Sequence, residues 1–206
     1  AALIEVSFGT LPVWQKTIKK AIDLFVSCFV LIIGAPFFIL IAILVKLSSR
    51  GPVFFVQERI GIRGESFNII KFRSMYTNSE KDGPALSKNK DSRITPIGRF
   101  IRKTRIDETP QFFNVLKGDM SLVGPRPERQ FFIDQIIETE PQYKYLHRVK
   151  PGITSWGQVK YGYAENVDEM IERLKFDLIY MENMSILIDI KIMIYTVLVV
   201  FQGRGK

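Results

Sequence analysis

The longest apolar run in the chain extends from Leu24 to Val45, 22 residues without a charge. As straight helix it would cover about 33 Å, at 1.5 Å per residue, enough to cross a bilayer core. Two features argue against simple crossing. Gly34-Ala35-Pro36 sits at the middle, and a helix-interior proline loses a hydrogen bond and kinks the chain, at a cost of about 3 kcal/mol. Lys16, Lys19 and Lys20 flank one end, and Lys46, Arg50, Arg59 and Arg63 the other. Basic flanks favour the cytoplasmic side of a membrane. A helix broken at Pro36 returns both ends to that side. The expectation is thus a re-entrant membrane helix turning at Ala35 and Pro36; a kinked spanning helix and a buried core helix are the alternatives. The run is too long for a signal peptide, and no small-residue cleavage site follows it.

Beyond it the pattern changes to period two. Val53–Val56 and Phe67–Arg73 are aromatic and β-branched, separated by Gly61 and Gly64, and read as a β-hairpin. Alternation puts Lys71 and Arg73 on one face, with Ile70 and Phe72 on the other. Two cations there can bind a phosphate or simply face water. Residues 77–94 are polar and read as a surface loop. Thr95-Pro96 opens a short basic helix, Ile97–Arg105, at lipid-headgroup level or on an ordinary surface. Residues 128–138 and 141–149 read as helical, Lys150–Trp156 as a turn, and 157–161 as a short extended piece. Asn166 and Glu169 resemble a capping box. Val167, Ile171, Leu174, Leu178 and Met181 then recur at helical spacing, as in a helix that only faces the core. Ser185 caps a final helix, Ile186–Phe201, which either packs on the domain or lies on a membrane. The pattern as a whole predicts an α+β domain, mostly helical with a small β-hairpin. It divides as a linker (1–15), a basic flank with the membrane helix (16–50), and a domain at the cytoplasmic face (51–206).

Charge narrows the partners. The net charge is +8 with 47% hydrophobic residues, and the pI is about 9.6. So basic a chain points to an anionic partner. So apolar a chain suits a phospholipid membrane better than nucleic acid, for which no recognition module is visible. Cys28 is the only cysteine and His147 the only histidine. An intrachain disulfide, a zinc cluster and a histidine triad are therefore excluded within one chain. His147 reads as structural. The chain starts Ala-Ala-Leu without an initiator Met, and so reads as part of a longer protein.

The candidate chemistry lies in RKTRIDETPQFFNVLKGDMSLVGPRPE, Arg102–Glu128. Pro110 fits a first helical position and Thr109 an N-cap. Asp107 and Glu108 then sit just upstream of a helix N-terminus, which favours carboxylates and phosphates. Arg102, Lys103 and Arg105 precede them. Two prolines hold Arg126 in extended backbone. With no reactive cysteine, serine elbow or phosphate loop in view, Asp107 is the candidate nucleophile. Glu108, with Asp107 beside it, is the candidate ligand for Mg²⁺, which takes one or two carboxylates plus phosphate oxygens. Lys71, Arg73, Arg102 and Arg126 are the candidate substrate-binding cations. The other reading of this stretch is helix capping plus a solvated charge run.

The ordered set of motifs resembles the bacterial sugar transferases, the monotopic phosphoglycosyl transferases. It comprises Ala35-Pro36, Gly51-Pro-Val-Phe-Phe55 with Gln57, Glu58, Arg59 and Gly61, and Lys71-Phe-Arg-Ser-Met75. It continues through Arg105-Ile-Asp-Glu-Thr-Pro-Gln111, Asn114-Val-Leu-Lys-Gly-Asp-Met-Ser121, Gly124-Pro-Arg-Pro127 and Pro151-Gly-Ile-Thr154. The resemblance covers the chain from about Lys16 to Lys206. It implies that Asp107 attacks the β-phosphate of a UDP-sugar, releasing UMP, and that polyprenyl (undecaprenyl) phosphate then takes the phosphosugar from the enzyme. Glu108 would bind Mg²⁺ and Arg126 would clamp phosphate, at the cytoplasmic face of a bacterial inner membrane. Glucose or galactose is the first sugar to expect by that analogy, and a homo-oligomer is open. The chain departs from the family pattern at Ala35, where Ser is known before the proline, at Ser155, where Gly is usual, and at Lys150, where Arg is common. A non-enzymatic scaffold that binds anionic lipid through its basic surface is the competing reading.

Overall fold

Helix α1 (Val13–Ser48) is the longest element of the computed structural model, which describes residues 11–79, 83–87 and 91–202. Most of the expected linker, residues 80–82 and 88–90 of the polar loop and the last four residues lie outside the described residues; Val13–Gln15 already belong to α1. The helix runs unbroken through Gly34, Ala35 and Pro36. Pro36 is therefore accommodated inside a helix rather than ending one, as a proline can be when the turns on either side hold their own hydrogen bonds.

Buried or half-buried positions recur along α1 at Ile22, Asp23, Val26, Ser27, Val30, Leu31, Gly34, Ala35, Phe38, Ile41, Ala42 and Val45. That three-and-four spacing makes one continuous stripe. Ile22 and Val26 pack with Leu122 and Ile192, and Ile41 and Val45 pack with Phe72 and Ile101. Both ends of α1 thus rest on the same body of protein. The opposite face exposes Phe25, Phe29, Ile32, Ile33, Ile39, Leu40, Ile43 and Leu47. A soluble core helix would not leave such a face in water. By length and composition α1 can cross a membrane.

The hairpin forms as expected. β1 (Phe54–Ile60) and β2 (Ser66–Phe72) pair antiparallel from Phe54 opposite Phe72 to Ile60 opposite Ser66. β1 outlasts its apolar run because backbone pairing continues through Gln57, Glu58 and Arg59. Gly64, at φ +75°, supplies the left-handed residue that its turn needs. Helix α2 (Pro96–Lys103) starts where expected, with Thr95 Oγ1 accepting from the Gly98 amide at 3.0 Å. It ends two residues short of Arg105. After α3 (Gln111–Lys117) comes a strand pair with no clear sequence signature. β3 (Ser121–Val123) and β4 (Gly152–Thr154) run parallel. They approach so closely that a Cβ on Gly124 would lie 2.4 Å from the Lys150 carbonyl oxygen. Only glycine fits there.

Helix α4 (Gln130–Thr139) and a 3₁₀ helix, Pro141–Arg148, lead into β4. The stretch 157–161 is not extended: α5 (Trp156–Lys160), capped by Tyr161, is started by Ser155, whose hydroxyl accepts from the Gln158 amide at 3.0 Å. That cap outweighs the aromatic and β-branched composition. Helix α6 (Val167–Glu182) begins at the expected Asn166–Glu169 reciprocal pair, at 2.8 and 2.9 Å. Its apolar stripe packs on Phe132, Ile133, Ile136, Tyr143 and Leu146. Helix α7 (Ile186–Phe201) starts at Ser185. It buries Asp189 and Ile192 against the domain and exposes Leu187, Ile194 and Val197, so it has one packed face and one apolar outer face.

Candidate active site

Asp107 and Glu108 lie in one 3₁₀ turn, Ile106–Glu108, between α2 and α3. Arg105 before them is left-handed, at φ 54° and ψ 17°. A non-glycine residue there is uncommon and marks a sharp redirection of the chain. It also explains why α2 stops early. Thr109 is not the N-cap of α3: its hydroxyl donates backwards to the Ile106 carbonyl at 2.8 Å, closing the acid turn, and Pro110 precedes α3 without a side-chain cap.

The two acids are both buried, 8% and 4% exposed, and have opposite surroundings. Glu108 Oε1 accepts from Lys71 Nζ at 2.8 Å and from the two terminal nitrogens of Arg126 at 3.4 and 3.5 Å. Lys71 is delivered by β2 and Arg126 by the segment after β3. Asp107, among the described residues, has no hydrogen bond or ion pair on its carboxylate. Burial, and then the charge of Glu108, push its pKa up to about 6, against the pull of Lys71, Arg102 and Arg126. Burial would raise Glu108 too, but Lys71 and Arg126 outweigh it and hold this carboxyl well below the usual range. Glu108 is thus an anchored anion, and Asp107 an unpaired carboxylate more basic than usual.

The pair opens into a cavity of about 350 Å³. Among the described residues its walls carry seven cations (Arg59, Lys71, Arg73, Arg102, Arg126, Arg129, Arg173) and three carboxylates (Asp107, Glu108, Glu128). That excess suits a polyanion. Phe54, Phe55 and Phe72 from the hairpin, and Phe132, Ala164 and Met170, add apolar lining.

Lys71, Arg102, Asp107, Glu108 and Arg126, all expected from sequence, meet at this cavity. Arg102 also donates to Ser87 Oγ at 2.8 Å. Arg73 lines the cavity, but its guanidinium is spent on backbone. One terminal nitrogen reaches the carbonyls of Val45 (3.2 Å) and Ser49 (2.7 Å), and the other that of Pro52. Arg73 ties the end of α1 to the hairpin. Arg73→Met is accordingly expected to lower stability by about 3 kcal/mol through unsatisfied buried carbonyls. In a nanodisc melt that is a Tm lower by about 6–12 °C. An unchanged Tm with lost donor binding would return Arg73 to the substrate.

Glu128, Tyr163 and Arg173 were not singled out from sequence as site residues. Glu128 accepts from Arg59 at 3.0 Å and Arg173 at 2.6 Å, and lies 3.7 Å from Arg126 Nε. Tyr163 lies under the guanidinium groups of Arg105 (5.1 Å) and Arg126 (5.7 Å). Burial, with Glu108, pushes its phenol up to about 12, so it stays neutral. Arg173 sits on the core face of α6, which therefore does more than fill the core. The available signal was a cation inside an apolar stripe, since such a charge is buried only when paired.

Among the described residues no three His, Cys, Asp or Glu side chains group as metal ligands. Two adjacent carboxylates in a cationic cavity do not suit an ion held by protein alone. They do suit Mg²⁺ shared with phosphate oxygens.

Fold and site together define a protein with one long helix, apolar on its outer face, and a buried acid pair that faces a cavity rich in cations. A family model for bacterial sugar transferases matches residues 14–203, and the chain belongs to that family. It is 44% identical over 188 residues to a UDP-N-acetylgalactosamine-undecaprenyl-phosphate N-acetylgalactosaminephosphotransferase of Aeromonas hydrophila, covering 91% of this chain and 44% of that one. To an undecaprenyl-phosphate glucose phosphotransferase of Komagataeibacter xylinus it is 44% identical over 190 residues, covering 89% and 36%. To the UDP-glucose:undecaprenyl-phosphate glucose-1-phosphate transferase of Escherichia coli it is 39% identical over 193 residues, covering 93% and 42%. The chain spans less than half the length of these relatives.

Proposed function

We propose that the chain transfers a sugar 1-phosphate from a UDP-sugar to polyprenyl phosphate through a covalent intermediate on Asp107. The observation that carries this reading is the pairing of opposites at the acid turn: an unbonded, basic carboxylate beside one held by Lys71 and Arg126, in a cavity with excess positive charge.

In the first step an Asp107 oxygen attacks the β-phosphorus of the donor. A new P–O bond forms, the bond from that phosphorus to the bridging oxygen breaks, and UMP leaves with the electron pair. In the second step a phosphate oxygen of the acceptor attacks the same phosphorus, and the Asp107 carboxylate is released. Arg126, Lys71 and Arg102 favour both transition states by standing where negative charge accumulates. Lys71 and Arg126 also keep Glu108 ionised. Mg²⁺, when bound by Glu108 with Asp107 beside it, would neutralise charge on the diphosphate.

The acceptor is a lipid, and α1 supports a site at the membrane surface. Asp23 and Ile41 are 18 positions apart, about 27 Å of helix, yet both contact the same polar domain. A helix crossing a bilayer core of about 30 Å could not place both ends on one side. The reading is that both ends stay on one face and the exposed apolar side of α1 enters the membrane, with Pro36 as the point where the helix can bend inwards. The basic flanks support the cytoplasmic side of a bacterial inner membrane as that face. A lipid-binding scaffold is less well supported, because seven cations converge on a cavity around the acid pair.

The relatives' names include both N-acetylgalactosamine and glucose, so a donor panel is the test. UMP release is measured in nanodiscs with Mg²⁺, undecaprenyl phosphate and UDP-glucose, UDP-galactose, UDP-N-acetylglucosamine or UDP-N-acetylgalactosamine. Acceptor-dependent turnover with one donor is expected, and a protein mass increased by one phosphosugar when acceptor is omitted. Folded protein that gives neither with any donor would overturn the reading.

A further inference from the structure

Helix α1 is hydrogen-bonded to the domain near both ends, and each attachment adjoins a cation of the site. Near its start, Asp23 Oδ2 accepts from Ser121 Oγ at 2.7 Å and Asp23 Oδ1 from the Leu122 amide at 3.0 Å. Lys19, one turn earlier, donates to the Val123 carbonyl at 2.8 Å and to Asp189 at 2.6 Å. All three residues of β3 are therefore bonded to α1, and β3 runs directly through Gly124 and Pro125 into Arg126. Near the other end, the Val45 and Ser49 carbonyls hold Arg73, two residues beyond Lys71. Lys71 and Arg126 meet on one oxygen, Oε1 of Glu108.

A buried carboxylate is an expensive way to dock a helix that Ile22 and Val26 already dock by apolar contact. What Asp23 adds is direction: its two oxygens fix one backbone amide and one hydroxyl. β3 needs that. It has three residues and a single short parallel partner, and so small a strand pair is marginal without support.

We propose that Asp23 and Lys19, with Arg73 at the far end, are positioning residues that set Arg126 and Lys71 on Glu108 from the membrane helix. The inference rests on the transfer reading above. It makes the seating of α1 and the geometry of the acid turn one mechanical unit, in which a shift of β3 moves Arg126 off the transferring phosphate.

The test follows formation of the phosphosugar adduct in a single turnover, by rapid quench and intact mass. It uses the full chain in nanodiscs with acceptor omitted, and reads rate constant, amplitude and half-saturating donor concentration. Asp23→Ala is expected to lower the rate constant about 10- to 100-fold, the scale of an ångström-sized misplacement. Amplitude and half-saturation should stay within about twofold, as for an interaction used in the transition state. Asp23→Asn keeps an acceptor for the Leu122 amide and should recover most of the rate. Ser121→Ala removes one of the two bonds, should fall between, and decides the question where Asp23→Ala fails to fold. An unchanged rate constant in these variants, or a loss confined to amplitude, would overturn the inference. Absence of adduct in the unaltered chain would instead remove the transfer reading and this inference with it.

Discussion

Asp107→Asn is expected to abolish adduct formation and UMP release while making the protein more stable. Loss of the nucleophile should lower turnover by a factor on the order of 10³ or more. Among the described residues the carboxylate makes no bond whose loss could disturb the fold. Its charge is instead a burden, because burial and Glu108 raise its pKa to about 6 from the usual value near 3.9. For a group raised in the folded state, the linked stability is complete below the unfolded pKa and is lost as pH rises through the folded one. At neutral pH the wild type carries that penalty and the neutral amide does not, a difference on the order of 1–3 kcal/mol. The gain should shrink as pH falls from about 6 towards 4, where both proteins are neutral at this position. Donor-step rates of the wild type should fall over the same range as the nucleophile protonates, and a bound cation would move that limb lower. Melting curves at several pH values and single-turnover rates check both halves. Retained UMP release in Asp107→Asn would sink the mechanism. A less stable Asp107→Asn would mean that the carboxylate is a structural partner after all.

The parts of this protein legible in its sequence are those written in local chemistry. Ser185, Asn166 and Thr95 announce helix starts within three residues of themselves, and the hairpin is announced by aromatic and β-branched strands around two glycines. The acid turn and its cations were legible as a motif, because Asp107, Glu108, Arg126 and Lys71 lie in short charged stretches that core packing does not require. What escaped depends on distant partners. Nothing near Ser121 says that it will pair with Gly152, 31 positions away. Nothing near Arg73 says that its guanidinium will close on the end of α1. Thr109 was misplaced for a subtler reason: a hydroxyl before a helix can cap forwards or close the turn behind it, and the left-handed Arg105 decides for the second. Pro36 reads as a break because isolated helices tolerate proline poorly. Here the helix is held by packing on both sides of it.

Arg126→Lys, conservative in charge, is expected to lower kcat/KM by about 10²- to 10³-fold, mostly in kcat. The guanidinium does three things that one ammonium cannot. Its two terminal nitrogens reach Glu108, its Nε lies 3.7 Å from Glu128, and its Cζ lies over the Tyr163 ring at 5.7 Å. Burial works against its charge, and Glu108 and Glu128 more than offset it, so the group stays protonated. The flanking carboxylates survive the change: Glu108 keeps Lys71, and Glu128 keeps Arg59 and Arg173. The fold should therefore tolerate the substitution, with Tm within a few degrees of the wild type, and the loss should fall on the transition state. Steady-state rates across donor concentrations, on protein counted by its adduct amplitude, separate the two. A kcat within about threefold of wild type would show that positive charge alone suffices at this position. The role assigned to Gly124-Pro125-Arg126-Pro127, holding a planar fork in fixed extended backbone, would then fall.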